Sequence, residues 1–318
     1  MPNVTIETQR IHLGPRFSIS FQRTLRIPDD GNTYPLPPGL GVFPLSKVED
    51  YGDRVPTAWR EHGGAFMPMY QREALWLGFD ATPWKPSAVK VSIGKINAIS
   101  GEPDDDRLHA TPQDYVVCPP QLWLDGINSG DQRIRQFVAV PLGQGYTVEA
   151  ALTGSEEVGG IQIVVFDPKP GRFPDKPPPP SAGSPGRVQP MRMASMQTMG
   201  LGAGGVMRQK IYPDPYGIDT WDQDSANRVV VHLVNSAHYR EITGTDPPPT
   251  PIDAHVYTKY GFPWFELYDE SRGDVAPPEQ LTTVKTIAEH DRERGTNPAG
   301  QDSLAVPDTQ IKKIEPTE

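Results

Sequence analysis

Between Phe17 and Ile27 the chain reads Phe-Ser-Ile-Ser-Phe-Gln-Arg-Thr-Leu-Arg-Ile, apolar and polar in near-strict turn. A side-chain period of two puts Phe17, Ile19 and Phe21 on one face and Ser18, Ser20 and Gln22 on the other, the pattern of a half-buried strand. The feature recurs. Residues 4–13 alternate before it, separated by the turn signal Gly14-Pro15. The segments REALWLGF, SAVKVSIGKINAIS, DYVVC, IRQFVAV, YTVEAALTG and GGIQIVVFD follow, with turn residues between them. Short strands at such intervals predict a mainly β fold, with a β-sandwich-like core over residues 1–167.

Composition closes off the main rival. Pro (37) and Gly (30) together make about a fifth of the 318 residues, against roughly 12% in an ordinary chain, which argues against a helical bundle. Between the strands, Ser46-Lys-Val-Glu49 matches a capping box. Pro56 reads as the first residue of a helical turn through Glu61, ended by Gly63-Gly64.

After Asp167 the character changes. Residues 168–205 are so rich in Pro, Gly, Ser and Met that they read as a linker. Order returns over residues 206–295, an α+β segment whose strands, GVMRQKIY and NRVVVHLVNS, are placed to complete the first sheet. SAHYREITG and TPIDAHVYTKYG read as short helices, the second capped at Thr250. One amphipathic C-terminal helix is expected from Glu279 to Arg294, with Leu281, Val284, Ile287 and Ala288 as its apolar stripe and Gly295 as its stop. Residues 296–318 read as a flexible tail.

Several function classes fall away. The net charge of -10, with no basic stripe, argues against nucleic acid. The apolar runs are far too short for a transmembrane segment. No secretory leader is visible at the start, and the single cysteine, Cys118, excludes an internal disulfide. A cytoplasmic location is the expectation.

The motifs are individually weak. Gly200-Leu-Gly202-Ala-Gly-Gly205 matches a dinucleotide-binding pattern in its letters, but no strand–turn–helix context surrounds it. Met193, Met196 and Met199 crowd the same stretch. They read first as part of a tether, next as an adaptable docking surface, and last as a thioether site for Cu(I). Asp219, Asp222 and Asp224 offer a calcium-like acidic run that lacks the loop's glycine and final glutamate. The Asp104-Asp105-Asp106 run reads as a solvated loop. Histidines lack the spacing of a zinc site, and Cys118 sits at a strand end rather than in an electropositive site. Glu73, Asp125, Glu149, Asp222 and Glu266 lie near aromatics or strand ends, where a glycosidase would place its carboxylate pair. Trp221, Trp264 and Glu266 belong to aromatic and acidic stretches that would suit sugar stacking; the plainer reading is a satellite core.

The segments RFSISFQRTLRIPDDG, PMYQREALWLGF, PPQLWLDGI, IRQFVAVPLGQGYTVEAALTG, MRQKIYPDPYG and GFPWFELYDE resemble a family of uncharacterised bacterial proteins. The resemblance spans most of the chain outside the linker and tail. It implies a bacterial source and one integrated architecture, and it carries no site residue. Together these readings point to a non-enzymatic β-rich binding or assembly protein, with a protein partner or a second copy as its target and no cofactor. A carbohydrate-binding or glycoside-hydrolysing protein is the alternative.

Overall fold

The computed structural model describes residues 4–176, 198–267, 272–276, 278–296 and 302–314. It confirms a mostly β fold. The alternating segment forms the strand Phe17–Thr24, hairpinned to Arg10–Leu13 with Ile11 opposite Ile19. Phe17–Thr24 pairs with Ala74–Ala81, which pairs with Arg133–Pro141, which pairs with Thr198–Arg208, all antiparallel. A second run of pairings joins Ala65–Met69 to Trp221–Asn235 in parallel, then Ile161–Pro168, Ser87–Ile93 and Val116–Cys118 antiparallel. The two runs meet where Thr198 and Met199 pair with Val234 and Leu233.

The core lies between them. Phe17, Ile19 and Phe21 share one buried cluster with Leu75, Leu77 and Phe137 of their own run. Val89, Val91, Ile161, Ile163, Val229 and Val231 enter the same cluster from the other run. These are the every-second residues of each strand, so the period of two has become the inner face of a sandwich. Each such side chain taken fully from water contributes roughly 1.5–3 kcal/mol.

The segment after the Pro-rich stretch is therefore part of the first sheet, and the linker ends sooner than expected. Residues 198–205 form a central strand. In it Met199, Leu201 and Ala203 point into the core, while Gly200, Gly202 and Gly204 alternate with them. A Cβ on Gly202 would stand 2.8 Å from the Tyr146 carbonyl, and one on Gly205 2.3 Å from that of Pro28. The glycines let neighbouring chain approach closely; they form a strand, not a phosphate-binding loop.

Helices differ in detail from the expectation. YTVEAALTG contains a helix, Val148–Thr153, because Thr147 caps it by accepting from the Ala150 amide and Gly154 closes it at φ +77°. Ser46–Lys47 is a short strand, followed by a 3-10 turn with no side-chain cap, so the capping box does not form. The helical turn after Pro56 runs Thr57–His62 and ends at Gly63, as expected. Ser236–Thr243 is helical, as expected. The next helix is Ala254–Lys259, capped by Asp253 rather than Thr250.

The C-terminal helix is two helices, Glu279–Thr283 and Ile287–Glu293. Val284 is extended, and Thr286 opens the second helix with a complete capping box to Glu289. The second helix packs Ile287 against Ala74, Val138, Val140 and Tyr146 on the outer face of the sheet. Trp264–Leu267 and Ile311–Ile314 form a separate parallel pair, tied to the rest where Leu36 and Phe265 exchange backbone hydrogen bonds of 2.8 and 2.9 Å. Residues 302–314 are therefore packed structure rather than the expected flexible tail, with Leu304, Val306 and Ile311 against the core. No helix is long and apolar enough to cross a membrane among the described residues.

Candidate functional site

Two surface features flank the short strand Trp264–Leu267. The first is apolar. Seven large hydrophobic side chains are exposed among the described residues, and four of them, Ile252, Val256, Tyr260 and Phe262, belong to the segment just before that strand. The cap at Asp253 starts the helix so that Val256 and Tyr260 fall one turn apart on its outer side, while Ala254, Tyr257 and Thr258 face inward. Tyr260 is 72% exposed. Its ring centroid lies 6.2 Å from that of Phe262, which also contacts Tyr257 at 5.1 Å. Exposed large hydrophobics gathered in one short segment, rather than scattered singly, are a feature of contact surfaces.

The second feature is a cleft of about 650 Å³. Arg133, Arg208 and Lys210 line it with Asp131 and Glu266, and Tyr34, Leu36, Phe265 and Ile311 supply apolar wall. Arg133 begins a strand just after the two-residue turn Asp131–Gln132. Both turn residues adopt positive φ, +51° and +60°, without being glycine. Such backbone costs energy and persists only when held. Here Gln132 donates its amide to Asp274 at 2.9 Å, and its carbonyl accepts from the Gln209 amide at 3.0 Å.

The structure places the sequence-derived candidates as follows. Trp264 is wholly buried, and its indole N–H donates to the Thr258 hydroxyl at 3.0 Å. Trp221 is wholly buried too, with its indole donating to Asp214 at 2.9 Å. Neither indole face is open to a sugar: Trp221 sits in a smaller satellite cluster with Tyr115 and Phe166, whereas Trp264 belongs to the main core. Glu266 lines the cleft, 3.7 Å from the Arg208 guanidinium. Met199 is a core residue of the central strand. Met193 and Met196 lie outside the described residues.

Asp219 belongs to a 3-10 turn, while Asp222 and Asp224 lie on the following strand. Asp224 is exposed and 4.0 Å from Arg107. Among the described residues, the acidic and histidine ligand atoms that converge are those of Asp105, His109 and Asp114. A cation already sits there. The buried Lys90 ammonium is 2.5 Å from Asp105 and 2.8 Å from Asp114, so two of the three carboxylate and imidazole groups already pair with a cation. Asp105 and Asp106 of the acidic run are exposed to solvent, as expected, and the run also has partners: Asp104 accepts from Ser92, Asp105 pairs with Lys90 and Asp106 with Arg228.

The other carboxylates singled out by sequence are structural. Glu73 is buried against Arg23 at 2.6 Å; burial pushes its carboxyl upward and Arg23 pulls it back. Asp125 is buried beside Gln209, and burial raises it to about 7. Glu149 accepts the backbone amides of Glu157, Val158 and Gly159. Burial also pushes the Cys118 thiol far up, which leaves it a poor nucleophile. His232 is stacked on Trp59 at 4.7 Å and lowered to about 4 by burial, so it is neutral at physiological pH.

No family model, no curated protein and no solved structure matches the chain.

Proposed function

We propose that the protein is a non-enzymatic, cytoplasmic β-rich binding or assembly protein, and that its contact surface is the patch formed by Ile252, Val256, Tyr260 and Phe262. The observation that carries this reading is the concentration of exposed large hydrophobics in that one short segment. Aromatic side chains with apolar neighbours are the composition of interface centres. A binding role rather than a catalytic one is supported by the buried ionisable groups, since Glu73, Asp125, Glu149, Lys90 and Asp114 are each held by an internal partner.

The occupant we assign is a second copy of this chain. Asp253 and Lys259 are both exposed and carry opposite charge at the two ends of the helix. Two copies related by a two-fold axis would bring each acid to the other's lysine over a shared apolar centre. Membership of the bacterial family it resembles belongs to the same proposal.

Light scattering on a sizing column, from micromolar to millimolar protein, tests it. The expected result is a concentration-dependent dimer that becomes a monomer in Tyr260→Ser/Phe262→Ser, with a melting temperature equal to that of the wild type at concentrations where the wild type is monomeric. A sharp monomer at every concentration would sink the assembly reading. A carbohydrate ligand is the second reading, favoured by the exposed Tyr260 ring; retention of the wild-type monomer on a polysaccharide column, lost in the double variant, would select it.

A further inference from the structure

Arg133 and Arg208 are direct partners in the antiparallel register of their two strands. Residues so paired point to the same face, with Cβ atoms about 5 Å apart, and like charges in that position destabilise a sheet. The arrangement is not relieved locally. The Arg208 side chain is 75% exposed, and its ion-pair partner among the described residues is Glu266 at 3.7 Å. Arg133 is exposed and makes no ion pair or side-chain hydrogen bond among the described residues. Lys210, two residues beyond Arg208, lines the same cleft and donates to the Arg272 carbonyl at 3.1 Å. The cleft therefore gathers three cationic side chains against two carboxylates, Asp131 and Glu266, in a chain whose net charge is -10.

The turn that delivers Arg133 is itself built against preference. Two-residue hairpin turns of this hand favour Asn-Gly or Asp-Gly, yet Asp131–Gln132 has no glycine. The Asp274 carboxylate holds it from one side, accepting the amides of both Gln132 and Ile211 at 2.9 Å. Phe265, Leu36 and Ile311 supply apolar lining to the same cleft. The Tyr34 hydroxyl is taken up by Asp30, to which it donates, and by the Leu304 amide, from which it accepts.

We infer that this cleft binds a small organic phosphomonoester. Its phosphate oxygens would be gripped by the Arg133 and Arg208 guanidiniums together, with its apolar ring against Phe265 and Leu36. Guanidinium forks match phosphate oxygens in pairs, and a doubly charged group is the one that turns an adjacent Arg–Arg pair from a cost into a site. The volume of about 650 Å³ suits a ligand of that size. The inference is independent of the partner surface: dimerisation can fail with this site intact, and the reverse.

Phenyl phosphate is the probe, titrated at low salt by calorimetry into the full chain. Saturable binding is expected, weakened about tenfold or more in Arg133→Gln and in Arg208→Gln and strengthened in Glu266→Gln, which frees Arg208. Phenol should not bind, and inorganic phosphate should bind more weakly than phenyl phosphate. Arg133→Gln removes a repulsion, so its urea midpoint should equal or exceed that of the wild type, which keeps loss of binding distinct from loss of fold. No saturable binding of phenyl phosphate, or binding untouched by both arginine substitutions, would overturn the proposal. Equal affinity for inorganic phosphate would overturn the assignment of an organic ester.

Discussion

Arg72 holds Asp291 with both terminal nitrogens, at 2.6 and 2.7 Å, and so binds the last helix to the sheet. The Tyr146 hydroxyl donates to the same carboxylate at 2.9 Å. The Asp291 side chain is 1% exposed and that of Arg72 23%, so one end of the pair is fully withdrawn from water. Removing one charge from a buried pair leaves the other uncompensated, at several kcal/mol. Because Arg72 keeps some solvent, Asp291→Asn should cost less, about 2 kcal/mol. A lowered urea midpoint with an unchanged slope is the expected readout. An unchanged midpoint would mean that the helix does not belong to the same cooperative unit as the sheet.

The glycine run makes a second prediction. Gly205→Ala would place a methyl 2.3 Å from the Pro28 carbonyl, a backbone atom that cannot step aside cheaply. Overpacking of this kind costs about 3 kcal/mol. Gly39→Ala is the matched control, since its added carbon would meet only the Trp76 side chain at 3.6 Å, an ordinary contact, and φ there is not positive. The expected outcome is a large drop in denaturation midpoint for the first and a change within about 0.5 kcal/mol for the second. Equal effects would show that close approach is not why the glycines are there.

That run also shows what the sequence did and did not disclose. Strands such as Phe17–Thr24 and Ile161–Pro168 are legible because the apolar residues of their core-facing side recur at a period of two, although their opposite side is largely buried as well. Met-Gly-Leu-Gly-Ala-Gly has the same period, but glycine stands where a strand usually carries a polar residue, so its composition is that of a linker. Thr147 before Val-Glu-Ala-Ala-Leu and Thr286-Ile-Ala-Glu289 are cap signals that were present and outweighed by periodicity. The Arg133–Arg208 pairing had no signal at all. Register between strands distant in sequence is set by the assembled sheet and its bulges, and neither arginine's surroundings mark it. The exposed patch was half legible: the aromatic cluster was visible, but which rings face outward depends on the cap at Asp253.

Trp264 separates core from surface by experiment. It is wholly buried, 6.3 Å edge-on from Tyr257, with its N–H satisfied by Thr258. Trp264→Ala should destabilise by roughly 3–5 kcal/mol, lowering the thermal midpoint sharply. Tyr260→Ala, at a 72% exposed ring, should leave the midpoint nearly unchanged when both proteins are compared at a concentration that keeps them monomeric. If Trp264→Ala melted like the wild type, the indole would have to be a surface group, and a sugar platform there would return.

Asp125 should give the protein a characteristic pH dependence. Its carboxyl is raised from 3.8 to about 7, chiefly by burial, against hydrogen bonds from Trp123 and Gln209. Between those two values the folded state holds a proton that the unfolded state has released. Folding is then disfavoured progressively as pH rises from about 4 to about 7, and the contribution is flat above that, at most about 4 kcal/mol. His232 acts in the opposite sense. Burial lowers it to about 4, so the unfolded chain takes up a proton first and stability is lost as pH falls from 6.5 towards 4. The two slopes overlap, and the wild-type profile alone would hide both. Asp125→Asn keeps an oxygen for the Gln209 side-chain amide, which donates to Asp125 at 2.8 Å, and removes the ionisation. The difference between variant and wild type, followed by urea denaturation from pH 4 to 8, isolates the Asp125 term. It should move steadily in favour of the variant as pH rises and level off near pH 8. A difference that does not change with pH would mean that Asp125 is already ionised in the folded protein at pH 4.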